Sequence, residues 1–148
     1  MNKKIKVKII TEDNDCIPTY ATLDAAGADL KANISDNITL APGESKLVPT
    51  GIFLEIPTGF EAQIRPRSGL ALKNSITVLN TPGTIDADYR GEIKVILINH
   101  SKQNFIIEPK MRIGQMVLAP TYQAEFVKTQ ELSISTRGEG GFGHSGTH

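Results

Sequence analysis

The chain of 148 residues has a single cysteine, Cys16, so no internal disulfide can form. That excludes a disulfide-stapled scaffold and fits a reducing compartment, the cytoplasm. Charge of one sign is also lacking: sixteen lysines and arginines balance sixteen aspartates and glutamates. Nucleic-acid binders usually carry a basic excess, so no nucleic-acid partner is expected. No apolar window approaches membrane-spanning length, and the basic start MNKKIKVKII has no long apolar run behind it. Neither a membrane span nor a signal peptide is therefore expected. The three histidines, His100, His144 and His148, are scattered, and no Cys/His cluster has metal-ligand spacing. What is present is ordinary for one globular domain: 39% hydrophobic and 22% charged residues, in a chain long enough to bury a proper core.

The hydrophobic pattern has period two almost throughout. Ile5, Val7 and Ile9 alternate with Lys4, Lys6 and Lys8, which predicts a first strand with one wet face. Short runs follow: ADLKA, NITL, SKLVP, GIFLEIP, FEAQIRP, SITVL, EIKVILIN, NFIIEP, GQMVLAP and AEFVK. Pro, Gly, Asn or Asp separates most of them, at the spacing of an all-β sandwich or barrel. Only SGLALKN, residues 68–74, has the Leu and Ala content of a short helical turn. The expected fold is all-β, of jelly-roll or barrel type, with one short helix and no internal repeat.

The stretch NTPGTIDADYRGE, residues 80–92, carries the most chemistry. It packs two aspartates, a tyrosine and an arginine between two Ile/Val-rich runs. Pro82-Gly83 punctuates the connection, which predicts a hairpin with the polar residues on or beside it. An aspartate there can accept a proton from water, a tyrosine offers a flat face to a sugar or base, and Asn80 both donates and accepts. A plain polar hairpin has the same letters.

The last residues, STRGEGGFGHSGTH, hold five glycines between Gly138 and Gly146 and almost nothing to bury. A mobile terminus is one reading. Arg137 at the front, Phe142 among the glycines and Ser145 just after support another. Glycines let backbone N–H groups approach an anion, an arginine adds a forked charged donor, and a phenylalanine can cover a base. Read so, the segment is a lid for a phosphorylated ligand that carries a ring. It is not a Walker A loop, since no Gly-Lys-Ser/Thr follows.

Three further segments are weak singly. Asp29 in AGADL sits at a strand start, where a turn or an ion pair is the plain explanation. Arg67, Ser68 and Gly69 stand at a strand end before the helical turn, suited to an anion or to a simple cap. Gln115 in RIGQM is an amide in an apolar strand and needs a partner from backbone or ligand.

In this order, AGADL, PRSGLAL, GTIDADYRGE, RIGQMV and RGEGGFGHSG resemble the five motifs of the trimeric deoxyuridine triphosphatases (dUTPases), over residues 26–146. Departures are slight: Ala28 and Gly114 stand where the family often has a larger residue and an alanine. The resemblance implies hydrolysis of dUTP to dUMP and pyrophosphate by water attack on the α-phosphorus. It implies Asp86 as the general base, with Asp88 the weaker candidate, and Tyr89 packed under the deoxyribose. Asn80, with the backbone of Gly83, Thr84 and Ile85, is implied to read the uracil edge. Arg67, Ser68 and Gly69 would bind the α- and β-phosphates, and Gln115 the α-phosphate region. Arg137 and Ser145 would bind the γ-phosphate, with Phe142 and the adjoining Gly143 closing over uracil. Asp29 is implied to stand behind the residues that touch substrate, near the hydrated metal and the arginine of the tail.

The same resemblance implies Mg²⁺ held by the three phosphates and water, with no direct protein ligand. It implies a homotrimer whose sites take the second and fourth motifs from one chain, the hairpin from another and the tail from the third. Residues 1–132 are then expected to form the β domain and 133–148 a flexible glycine-rich arm that closes the site. Two alternatives share the fold expectation: a dCTP deaminase-like enzyme, and a non-catalytic nucleotide-binding relative.

Overall fold

A computed structural model describes residues 3–148. Ten strands, one seven-residue helix and one 3₁₀ turn make up its regular structure. The strands are β1 Lys8–Ile10, β2 Gly27–Lys31, β3 Ile38–Leu40, β4 Ser45–Glu55 and β5 Phe60–Arg65. After the helix α1, Ser68–Asn74, come β6 Ile76–Val78, β7 Gly83–Ile85, β8 Glu92–Asn99, β9 Phe105–Ile107 and β10 Arg112–Pro120. One four-stranded sheet has the order β1-β4-β8-β6 and a second the order β2-β10-β5-β7, while β3 and β9 form a third, two-stranded sheet. All registered pairs are antiparallel. This is the expected all-β, jelly-roll-like architecture, with open sheets rather than a closed barrel.

Period-two sequence becomes a two-sided strand because successive side chains point to opposite faces. β8 shows it plainly: Ile93, Val95, Leu97 and Asn99 point inward and are buried, while Lys94 between them is exposed. From β4, Val48, Ile52 and Leu54 join them, and Leu30, Ala62, Ile64 and Ile113 face them from the second sheet. Each fully buried Leu, Ile or Val contributes about 1.5–3 kcal/mol relative to its exposed state. Asn99, at the inner end of β8, is fully satisfied. Its Nδ2 donates to the carbonyls of Leu40 and Gln103 at 2.8 and 2.7 Å, and its Oδ1 accepts from Ser101. That amide ties the first sheet to the two-stranded one.

Asp13 caps the 3₁₀ turn Asn14–Cys16 by accepting from the Asp15 N–H at 2.9 Å. Lys110 Nζ donates to the same carboxylate and lies 3.2 Å from the buried Cys16 sulfur. The lysine hydrogen bond is the main cause holding the Asp13 carboxyl below its ordinary range, and it raises Lys110 in turn.

Four sequence expectations are corrected. The first strand is confined to Lys8–Ile10, since only these residues have partners on β4. SKLVP and GIFLEIP are one strand, β4, carried past Gly51 (φ +73°) by a register shift between Pro49 and Phe53. β6 and β8 are neighbours as a hairpin requires, but the chain between them leaves their sheet and adds β7 to β5 in the other. The run AEFVK forms no strand, and Phe126 and Val127 stand exposed. Alternation alone does not make a strand; a ladder partner must be in reach. Among the described residues no helix is long and apolar enough to cross a membrane.

Candidate functional site

The predicted residues fall into three groups. The first lies on the second sheet, where β10 runs between β2 and β5. Register sets Gln115 opposite Asp29 on one side and opposite Arg65 on the other. Immediately after β5, Arg67 is the extended residue before α1 and makes no side-chain cap, so the helix opens at Ser68 and Gly69 with uncapped N–H groups. Asp29, Arg67, Ser68, Gly69 and Gln115 line one pocket of about 370 Å³.

Two arginines grip the aspartate in that pocket. Arg67 Nε lies 3.5 Å from Asp29 Oδ1, and Arg112 Nη1 lies 3.4 Å from Oδ2. The Asp29 side chain is only 14% exposed, so both pairs are partly shielded from water. Arg65 completes the lining, its Nε and Nη2 bonded to Gln63 Oε1 at 3.2 and 2.5 Å. Three guanidinium groups against one carboxylate make this an anion-attracting surface with forked donors of phosphate geometry. Gln115 has the partner that a half-buried amide requires: its Nε2 donates to the Pro66 carbonyl at 3.0 Å. Gly27 leaves room for it, because a Cβ there would stand 2.9 Å from Gln115 Cδ.

The second group is built on β7 and the turn that follows. Thr84, Ile85, Asp86 and Tyr89 line a different pocket, of about 420 Å³, with Leu47, Glu92, Lys94 and Ile96. Asp86 leaves β7 exposed to solvent, and Tyr89 N–H donates to its carbonyl at 3.1 Å to close the turn. Tyr89 Oη donates to the Glu92 carbonyl at 2.9 Å. Arg90 braces the turn from outside, donating to Ala87 O at 2.7 Å and standing 3.7 Å from Glu55. Asn80 packs beside the buried Gly83, where a Cβ would meet Asn80 Nδ2 at 3.2 Å. Asp86 and Asp88 also border a larger hollow of about 690 Å³, which Thr121, Tyr122 and Gln123 line as well.

The third group, Arg137, Phe142, Gly143 and Ser145, lies in the segment after β10. The hydrogen bonds around these residues are local: Arg137 Nε donates to Gly140 O at 2.6 Å, and Gly138 N–H to Ser135 Oγ at 3.1 Å. Phe142 is fully exposed and, like Gly143, has positive φ. The structure thus brings Asp29, Arg67, Ser68, Gly69 and Gln115 together. It joins Asp86 and Tyr89 in a separate pocket and leaves the arm residues apart from both.

Sequence reasoning did not single out Arg65 and Arg112. Arg112 opens the same segment as Gln115, and its charge is the available signal. Arg65 ends a strand and differs in sequence from any surface arginine only in preceding Pro66-Arg67. Gly91 has no signal in the sequence, since its place beside Tyr89, which leaves no room for a side chain, exists only in the fold.

Comparisons with known proteins agree with one another. The profile of the dUTPase family matches residues 13–146. The deoxyuridine 5'-triphosphate nucleotidohydrolase of Chlamydia pneumoniae is 65% identical over 131 residues, covering 88% of this chain and 90% of its own. Among solved structures, the Staphylococcus bacteriophage 80alpha dUTPase with dUPNHPP superposes with a TM-score of 0.83. It is 24% identical and covers 97% of this chain and 100% of its own, a likeness of fold. A mutant dUTPase from phage phi11 of S. aureus, described with a structural Mg(II) ion, gives 0.77 at 18% identity, over 88% of this chain and 100% of its own.

Proposed function

The chain belongs to the dUTPase family and hydrolyses dUTP, and we propose that it does so in sites assembled from three copies of the chain. The observation that carries the proposal is the separation within one chain. Asp86, the proposed base, borders one pocket, while Arg67, Ser68 and Gln115 border another. A nucleoside triphosphate needs both, so a complete site calls for the hairpin of one subunit over the basic cleft of the next. The exposed arm of a third then has a place to close. The fold, family and exposure of Phe142 support this arrangement.

In the proposed reaction, water attacks the α-phosphorus and dUMP and pyrophosphate are released. Phosphoryl chemistry of this kind depends mostly on positioning and on neutralising charge. Arg67, with the uncapped N–H groups of Ser68 and Gly69, takes the α- and β-phosphate oxygens, and Gln115 holds the α-phosphate end. Asp86, exposed at the turn, orients the water and accepts its proton. Tyr89 lies under the deoxyribose and leaves no space for a 2′-hydroxyl. Asn80 and the backbone of Gly83, Thr84 and Ile85 pair with the uracil edge. Arg137 and Ser145 reach the γ-phosphate, and Phe142 with Gly143 covers the base and excludes water. Asp29 keeps its two arginines oriented.

Among the described residues no group of three or more His, Cys, Asp or Glu could hold a metal ion. The basic cleft suits phosphate oxygens, so Mg²⁺ would be held by the triphosphate and water and would supply charge neutralisation there. The enzyme would act in the cytoplasm, removing dUTP before uracil enters DNA and supplying dUMP for thymidylate. The deciding experiment is pyrophosphate release with Mg²⁺ from dUTP, dCTP, dTTP and UTP in parallel. Cleavage of dUTP alone is expected. Ammonia release from dCTP would favour a deaminase, and tight dUTP binding without cleavage a non-catalytic role.

A further inference from the structure

Tyr89 is seated against two backbone features. Its hydroxyl donates to the Glu92 carbonyl at 2.9 Å, and its ring lies close against Gly91. A Cβ on Gly91 would stand 2.5 Å from Tyr89 Cζ and 2.9 Å from Cε1, and closer still to Oη. No unbonded carbon atoms approach so closely, so any side chain at position 91 must push the ring aside. Gly91 does not have a positive φ, so nothing in the backbone itself calls for glycine there. What demands it is the ring.

The carbonyl that holds the hydroxyl is itself fixed. Glu92 begins β8 opposite Phe53 of β4, and its carboxylate accepts the Gly51 N–H at 3.1 Å from within the β4 bulge. The ring is therefore referenced to the first sheet through a short chain of hydrogen bonds, although Tyr89 belongs to an exposed turn and is 43% exposed.

We propose that Gly91 is a specificity-determining residue: by lacking a side chain it lets Tyr89 lie close to the backbone, at the height that admits deoxyribose and rejects ribose. The inference rests on the reading of Tyr89 as the sugar-facing residue. A 2′-hydroxyl is a single heavy atom, so a gate against it works only if the ring is held within a fraction of an ångström. Displacing the ring has a small effect on folding, since the atoms that must move are the far end of one exposed side chain. Its effect on the gate is large, because shifts near 1 Å at a reacting substrate are worth roughly 10²-fold in rate.

The test compares Gly91→Ala, Tyr89→Phe and Tyr89→Ala with the parent, reading kcat/KM for dUTP and for UTP alongside melting temperature. For Gly91→Ala the dUTP/UTP ratio should fall by roughly tenfold or more with little change in melting temperature. Tyr89→Phe, which keeps the ring but loses the bond to Glu92, should move the ratio the same way by less. If Tyr89→Ala relaxes the ratio and Gly91→Ala leaves it at the parent value, the role of Gly91 is overturned. If Tyr89→Ala itself leaves the ratio unchanged, the sugar-gate reading fails and takes this inference with it. Should Gly91→Ala not fold, an unchanged ratio in Tyr89→Phe overturns the seat from its other side.

Discussion

Asp86 and Asp88 stand two residues apart in the same turn, both exposed, and differ only in what lies around them. Both border the larger hollow, but Asp86 also shares a pocket with Tyr89, Thr84 and Ile85 that Asp88 does not line. Geometry and resemblance both favour Asp86 as the base. Replacing it by asparagine keeps the shape and removes the ability to accept a proton. Asp86→Asn should lower kcat by about 10²–10⁴-fold while melting temperature and affinity for a non-hydrolysable dUTP analogue stay near the parent values. Turnover within twofold of the parent would reassign the base. The arginines around Asp29 show the same dependence on surroundings, since charge at positions 65, 67 and 112 becomes one surface only when β5 and β10 lie side by side.

At the scale of elements, β4 is the strand on which the hairpin site depends. Its bulge turns at Gly51, with φ +73°, and passes the N–H of that residue to Glu92. A side chain at position 51 meets two obstacles: a left-handed backbone and Asn33, whose Nδ2 would lie 2.5 Å from the new Cβ. Gly51→Ala should destabilise the fold by about 1–2 kcal/mol from the backbone alone, and further through the clash. Urea denaturation measures this, and stability equal to the parent would show that the bulge relaxes freely. The segment after β10 is the opposite case. Past Thr121, whose N–H still donates to Gly59 O at 2.9 Å, its bonds join residues two or three apart, so it gains little from the domain.

For the whole molecule, the proposed sharing of sites has a consequence that a site within one chain lacks. Asp86→Asn and Arg67→Ala should each be nearly inactive alone. Unfolded together in equal amounts and refolded, they should recover about one quarter of parent activity, since that share of hairpin–cleft pairings carries both intact residues. A mixture no more active than its parts would mean that each chain completes its own site.

Much of this was legible along the chain. Period-two alternation specified most strands because burial on one face forces it, and the Leu/Ala-rich SGLALKN marked the helix. The short polar segments carried the family resemblance because their chemistry depends on residue identity. The sequence by itself could not decide which strands pair. AEFVK has the alternation of a strand and stays unpaired, while GTI, read as part of a turn, becomes β7 by reaching β5. Pairing depends on what lies opposite, which is a property of the folded chain. The same holds for the cleft. Arg112 and Arg67 are far apart in sequence and meet on the two oxygens of Asp29 only because β10 runs beside β2 and β5. Residue identity determined the available chemistry; tertiary structure decided which groups share a pocket, because distance in space is set by strand pairing and not by position in the chain.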